Sequence, residues 1–191
     1  MSSILPLLCL AAGASIAIIW TIVSVSGVKQ LAVVCDDTWR DVVHDLGRRH
    51  ELVPQLVESA RPLLSEHSEL LDGVLRASEE ARNQKVPPGE LALGESAVSV
   101  TLQRLLVLVE QRPALKSDER FQKLRRQLVD VEEHLQTCRR AYNRHAKDLN
   151  KRSQGFPANV LAGREATAKR EAFELLPVGA ALASSNGHRP H

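Results

Sequence analysis

The nearest approach to a catalytic constellation in these 191 residues is His50-Glu51-Leu52-Val53-Pro54. A zinc-protease helix needs two histidines four apart on one face, with a glutamate after the first to act as base. Position 54 holds proline, which offers no ligand, so that chemistry is excluded. His67 and His145 fall on apolar stripes, where a hydrogen-bonded histidine at the edge of a core is the expected role, whereas His44 and His134 read as surface residues. The three cysteines, Cys9, Cys35 and Cys138, form no Cys-x-x-Cys unit and no paired framework. Disulfide scaffolds and the common zinc modules are thereby removed. Cys138 reads as a small buried hydrophobe and Cys35 as an unmodified thiol. No glycine-rich phosphate loop or Ser-His-Asp set can be assembled. The expectation is a protein that is not an enzyme and takes no metal, cofactor or small-molecule substrate.

With little chemistry to place, the elements carry the reading. Apolar residues at 43% supply a core and exclude disorder along the whole chain. Aromatics at 3%, with 10 glycines and 9 prolines, leave long stretches without the β-character or turn density of a sandwich or barrel. A net charge of +2 with so few stacking groups gives no support to a nucleic-acid binder, and none is expected. The class expected is all-α.

Residues 4–28 contain no charge and are built from Leu, Ile, Val and Ala with a few small polar residues. A helix of ~20 apolar residues crosses a hydrocarbon core of ~30 Å. The run is too long for a signal peptide and lacks a basic residue ahead of it. An uncleaved, single-pass transmembrane anchor in the lipid bilayer is expected, with Trp20 either at the interface or facing lipid. Lys29, Arg40, Arg48 and Arg49 follow it, which by the positive-inside rule places the body in the cytoplasm. The interleaved Asp36, Asp37, Asp41 and Asp45 and the three-residue amino-terminal flank leave the side open.

The rest reads as long amphipathic helices. Over residues 31–61, Trp39, Val42, Val43, Leu46, Val53, Leu56, Val57 and Ala60 recur at steps of three and four, with Pro54 expected to kink the helix but not stop it. Pro62 opens a second segment that runs to the loop Val86-Pro87-Pro88-Gly89. A third covers residues 91–112 and ends at Pro113. The fourth carries a heptad-like, coiled-coil-like seam of Phe121, Leu124, Leu128, Val131, Leu135, Cys138, Tyr142 and Leu149, with His145 in the missing place. It should begin near Ser117-Asp118-Glu119 and end before Gly155-Phe156-Pro157, with a last short helix over residues 163–176. Short connections force antiparallel neighbours, so an up-and-down helical bundle should follow the anchor. The division expected is an anchor over 1–30, a bundle over 31–176 and a disordered tail over 177–191.

Residues 29–90 carry 8 basic and 12 acidic side chains, whereas 116–152 carry 11 and 6. The basic fourth helix should therefore pair with the acidic first two, leaving most of its charges solvated. Of Arg48 and Arg49, one should make an interhelical ion pair and the other face water.

Four blocks then bear a resemblance. Trp39-x-x-Val42 leads into Leu46-x-Arg48-Arg49-x-Glu51-Leu52-Val53-Pro54; Glu110-x-x-Pro113-x-Leu115-Lys116 leads into Phe121-x-x-Leu124; Arg140-x-Tyr142-Asn143 is followed by Asn150; Phe156-Pro157-x-Asn159 precedes Ala162. In order and spacing these resemble the signatures of the LemA family across residues 31–176. Leu149, Ser117 and Gln111-Arg112 depart from that pattern. The resemblance implies a small bacterial membrane protein, a helical bundle and no established enzymatic activity. The protein would then act at the bacterial inner membrane by scaffolding or by contact with an unknown protein partner, or as an accessory factor of a membrane enzyme such as a protease. The signature side chains have an architectural reading: Pro54 and Pro113 shape helix paths, Tyr142 belongs to the seam, and Asn143 and Asn150 can hydrogen-bond across to a neighbouring helix.

Overall fold

The apolar amino-terminal segment and the first amphipathic segment are one helix. In the computed structural model, which describes residues 4–82 and 86–175 and gives residues 4–9 by backbone alone, α1 runs Ile4–Ala60, 57 residues. The expected division near residue 30 is not a helix boundary, because Val28-Lys29-Gln30-Leu31 contains neither a cap nor a proline to end a hydrogen-bond ladder. Pro54 lies inside the helix, which continues past it to Ala60. Two 3-10 turns follow (Arg61–Leu63 and Ser65–His67), then α2 (Ser68–Arg82), α3 (Pro88–Glu110), α4 (Pro113–Ser117), α5 (Glu119–Arg152) and α6 (Ala158–Leu161). No strand occurs among the described residues, and the fold is all-α.

The chain forms two units. One combines Trp39–Ala141 with Glu171–His191, the other Met1–Thr38 with Tyr142–Arg170.

In the first unit, the last turns of α1 and the helices α2, α3 and α5 make an up-and-down bundle. Asp45 meets His134 while Arg49 meets Glu132, so α1 and α5 run antiparallel. His50 meets Ser78 and Arg61 meets Asp72, so α2 also runs against α1. The core joins Val53, Leu56, Val57 and Ala60 to Leu71 and Val74, to Val98, Leu102, Leu105 and Val109, and to Phe121, Leu124 and Leu128. Each helix thus buries one stripe at steps of three and four. Leu63, expected on the second stripe, is exposed because a 3-10 turn replaces the α-helix there. α3 begins earlier than its apolar stripe, with Pro88 in the first turn, where a missing N–H costs nothing. Between α3 and α5 the five residues of α4 make a separate turn. Asp118, not Ser117, caps α5: its Oδ1 accepts the Phe121 N–H at 2.6 Å. Trp39 packs edge-to-face on the buried Phe173, ring centroids 5.6 Å apart.

In the second unit, Tyr142, Ala146 and Leu149 are buried. Ala146, not His145, fills the place the seam left open, a step of four and then three. The peptide Phe156-Pro157 is cis and leads into α6. The short helix expected over 163–176 is absent from the described part: Gly163 adopts φ 90°, a left-handed conformation that suits glycine and ends α6. Asn150 then holds the following chain, donating from Nδ2 to the Arg170 carbonyl at 2.7 Å and accepting its N–H at Oδ1 at 2.8 Å. The Arg170 guanidinium reaches both oxygens of Asp36 at 3.1 Å. Cys35 is buried, and its thiol is pushed up by that burial and by Asp36, with Arg170 pulling the other way. The expected tail over 177–191 lies outside the described residues.

Candidate functional site

Three stripes of the bundle are interrupted by a polar residue that keeps the apolar spacing. On α1, Arg49 stands between Leu46 and Val53; on α2, Ser78 between Val74 and Ala81; on α3, Glu95 ahead of Val98. Their periodicity turns these side chains inward, where Arg49 and Glu95 are both 0% exposed.

They meet in one layer. Arg49 Nη1 donates to Glu95 Oε2 at 3.0 Å and Nη2 to Ser99 Oγ at 2.9 Å. His50 Nε2 lies 2.8 Å from the other Glu95 oxygen, and its Nδ1 lies 2.9 Å from Ser78 Oγ. A carboxylate only accepts, so Nε2 carries the proton toward Glu95 and the serine hydroxyl completes the ring. From α5, Glu132 Oε1 approaches Arg49 Nε at 2.8 Å. That contact is a charge pair off the N–H direction, and Nε is left without a directed hydrogen-bond acceptor. The layer draws side chains from all four helices and opens beside Arg49 into a groove of about 320 Å³ between α3 and α5, lined by Ser99, Leu102, Leu106, Leu128, Val129 and Glu132 among others.

A cation held by two carboxylates and a serine hydroxyl, with an imidazole bridging one of those carboxylates to a second serine, fixes helix register: a slip of any helix leaves a buried charge unpaired, at a cost of several kcal/mol. Arg49 is the interhelical arginine and Arg48 the exposed one. Between α1 and α5 charge pairs of both senses occur among the described residues, Asp45 with His134 as expected and Arg49 with Glu132 reversed. Lys116 and Arg125 both pair with Glu110, at 3.3 and 2.7 Å. Those two cations hold the Glu110 carboxyl below its ordinary range, Lys116 contributing most.

A second cluster lies one turn away on α1. The buried Asp45 accepts a short hydrogen bond from Nδ1 of His134, whose side chain is 64% exposed, and Cys138 Sγ lies 3.7 Å from the same nitrogen. His134 is at the surface as expected, whereas Cys138 is buried against polar neighbours and not only among hydrophobes. Burial first, then Asp45 and Asp41, push its thiol up.

The signature residues do not gather into a single site. In the first unit Arg49 sits in the layer, Phe121 in the core, Trp39 on Phe173 and Lys116 on Glu110, while Arg48, Pro54 and Pro113 are exposed. In the second unit Tyr142 and Pro157 are buried, Asn143 is half-buried, Asn150 holds Arg170, and the exposed Phe156 lies 6.3 Å from Trp20 between ring centroids. Asn150 bonds to the chain returning after α6, not to a neighbouring helix. Ser78 and Glu95 were missed from the sequence, although a polar residue in register on an apolar stripe was the signal for both, and His50, read there only as half a zinc motif, is their partner.

No curated protein matches the chain. Residues 38–182 match the LemA family model, a span that takes in the polar layer, the core and the Asn150 clamp, and the chain belongs to the LemA family.

Proposed function

We propose that this LemA family protein is a membrane-anchored, non-enzymatic bundle that works by protein-protein contact at the bacterial inner membrane. One observation carries the anchor. Leu10, Ile16, Ile18, Ile19, Ile22 and Val23 on the first turns of α1 are 60–72% exposed. Each such side chain left in water forgoes ~1.5–3 kcal/mol of burial, and lipid supplies it without any protein partner. The backbone there is helical throughout, as a hydrocarbon environment demands. α3 is also apolar and long enough to cross a membrane, but 44% of its most apolar window is buried and its stripe serves the bundle core.

The non-enzymatic reading rests on the polar layer, whose groups are mostly committed to one another. The groove between α3 and α5, with Leu102, Leu106, Leu128 and Val129 in its wall, offers a partner an apolar surface rimmed by charge. Carbonate extraction with intact-mass analysis tests the anchor: full-length protein should stay in the membrane fraction. Release into the soluble fraction, or loss of about 20 or more residues as in signal-peptide removal, rejects it. Affinity capture from membranes tests the mode of action. Self-association or several non-enzymatic partners are expected, whereas a single stoichiometric enzyme would make the protein that enzyme's accessory factor.

A further inference from the structure

We infer that Asp45, His134 and Cys138 form a binding site for a divalent transition-metal ion of the zinc type, which clamps α1 to α5 inside the bundle. His134 and Cys138 stand four apart on α5 and so share one face. Asp45 comes from α1, and one ligand atom of each residue lies within 4.8 Å of the other two. The Sγ to Nδ1 distance is 3.7 Å. A tetrahedral zinc with bonds of about 2.05 Å to nitrogen and about 2.3 Å to sulfur sets these atoms about 3.6 Å apart.

Asp45 is the group that needs explaining. A carboxylate 2% exposed on a packed helix must be compensated, and the His134 Nδ1–H now does so by donating a hydrogen bond. A metal ion takes the place of that proton. The imidazole proton then resides on Nε2 of an exposed ring, and the Cys138 thiol gives its proton to solvent as the thiolate binds. One dication enters and one proton leaves. His44, with Nδ1 3.6 Å from the second Asp45 oxygen, or a water fills the fourth position.

A thiolate, an imidazole and one carboxylate select zinc, cobalt or copper over magnesium and calcium, which prefer all-oxygen shells. The site goes beyond the proposed contact function: it ties α1 to α5 where Val42, Leu46, Val131 and Leu135 are buried on the same two helices.

The test uses the full-length protein in detergent micelles, titrated with Co²⁺ and then challenged with Zn²⁺. One equivalent of Co²⁺ should give the visible bands of a tetrahedral ion and a near-ultraviolet sulfur-to-cobalt band, both abolished by Zn²⁺. Zn²⁺ should also raise the melting temperature. Cys138→Ser should remove the sulfur band and weaken binding by about 100-fold. His134→Asn keeps a donor toward the buried Asp45 while removing the imidazole ligand, and it should weaken binding comparably with an unaltered helical spectrum. Absence of both bands at saturating Co²⁺ would leave only the Asp45 and His134 hydrogen bond and overturn the proposal. So would a spectrum that survives Cys138→Ser, which would place the ion on Cys35 or the terminal histidines.

Discussion

The two ends of α1 are built from the same kinds of residue and meet opposite fates. Ile16, Ile18 and Ile19 near its start are exposed, whereas Val53, Leu56 and Val57 near its end are fully buried among α2, α3 and α5. The presence of large apolar residues in a helix does not distinguish them. The difference lies in composition and spacing: around Ile18 the apolar residues occur on every face without a charge, and around Leu56 they occupy one stripe with Glu51, Gln55 and Glu58 on the other. A helix apolar all round needs an apolar solvent, whereas one with a single stripe needs neighbouring helices.

The comparison breaks first at the polar layer, where the buried end of α1 carries the Arg49 charge. Arg49→Ala would leave Glu95 and Glu132 without their cation, and stability in micelles should fall by ~3–5 kcal/mol, measured by chemical denaturation. A loss under ~1 kcal/mol would mean that the layer is hydrated and sets no register.

Truncations sharpen the contrast between the two ends. Leu56→Ala and, on the seam of α5, Leu135→Ala should each cost ~2–5 kcal/mol, since lost transfer energy adds to that of a cavity. Ile18→Ala and the exposed Lys147→Ala should change bundle stability by no more than ~0.5 kcal/mol. Comparable losses at Ile18 and Leu56 would show that the first turns of α1 are buried by protein.

The smallest effect belongs to the rim. Glu110 is held below its usual range in the folded protein by Lys116 and Arg125. Its contribution is therefore complete above the ordinary glutamate range and is lost as pH falls through the lowered folded value. Denaturation midpoints between pH 6 and pH 3 should show a shallower acid-side decline in Glu110→Gln than in the parent, and identical slopes would remove the ion pairs from the account.

Much of this was legible along the chain. The seam from Phe121 to Leu135 is buried where its spacing put it, because a period of three and four leaves only one inward face. The break at Pro113 and the end of α5 near Arg152 follow from proline and from the glycine at 155. His145 was misplaced because its apolar spacing suited the seam as well as its neighbour's: Ala146 is small enough to read as surface, and only packing showed that it is buried. The segment after Gly163 has helical composition, but Asn150 takes its backbone groups at Arg170 and offers an alternative to the helical ladder.

By itself, the sequence determined the all-α class, the apolar segment, the stripes and the family, because each is a property of local period and composition. Tertiary structure alone decided which charges are paired. Arg49 and Glu95 are 46 residues apart, and His134 and Asp45 are 89 apart. No local rule links positions so distant. Their meeting depends on how four helices align, and that alignment is the sum of core packing and the cost of leaving any one of those charges alone.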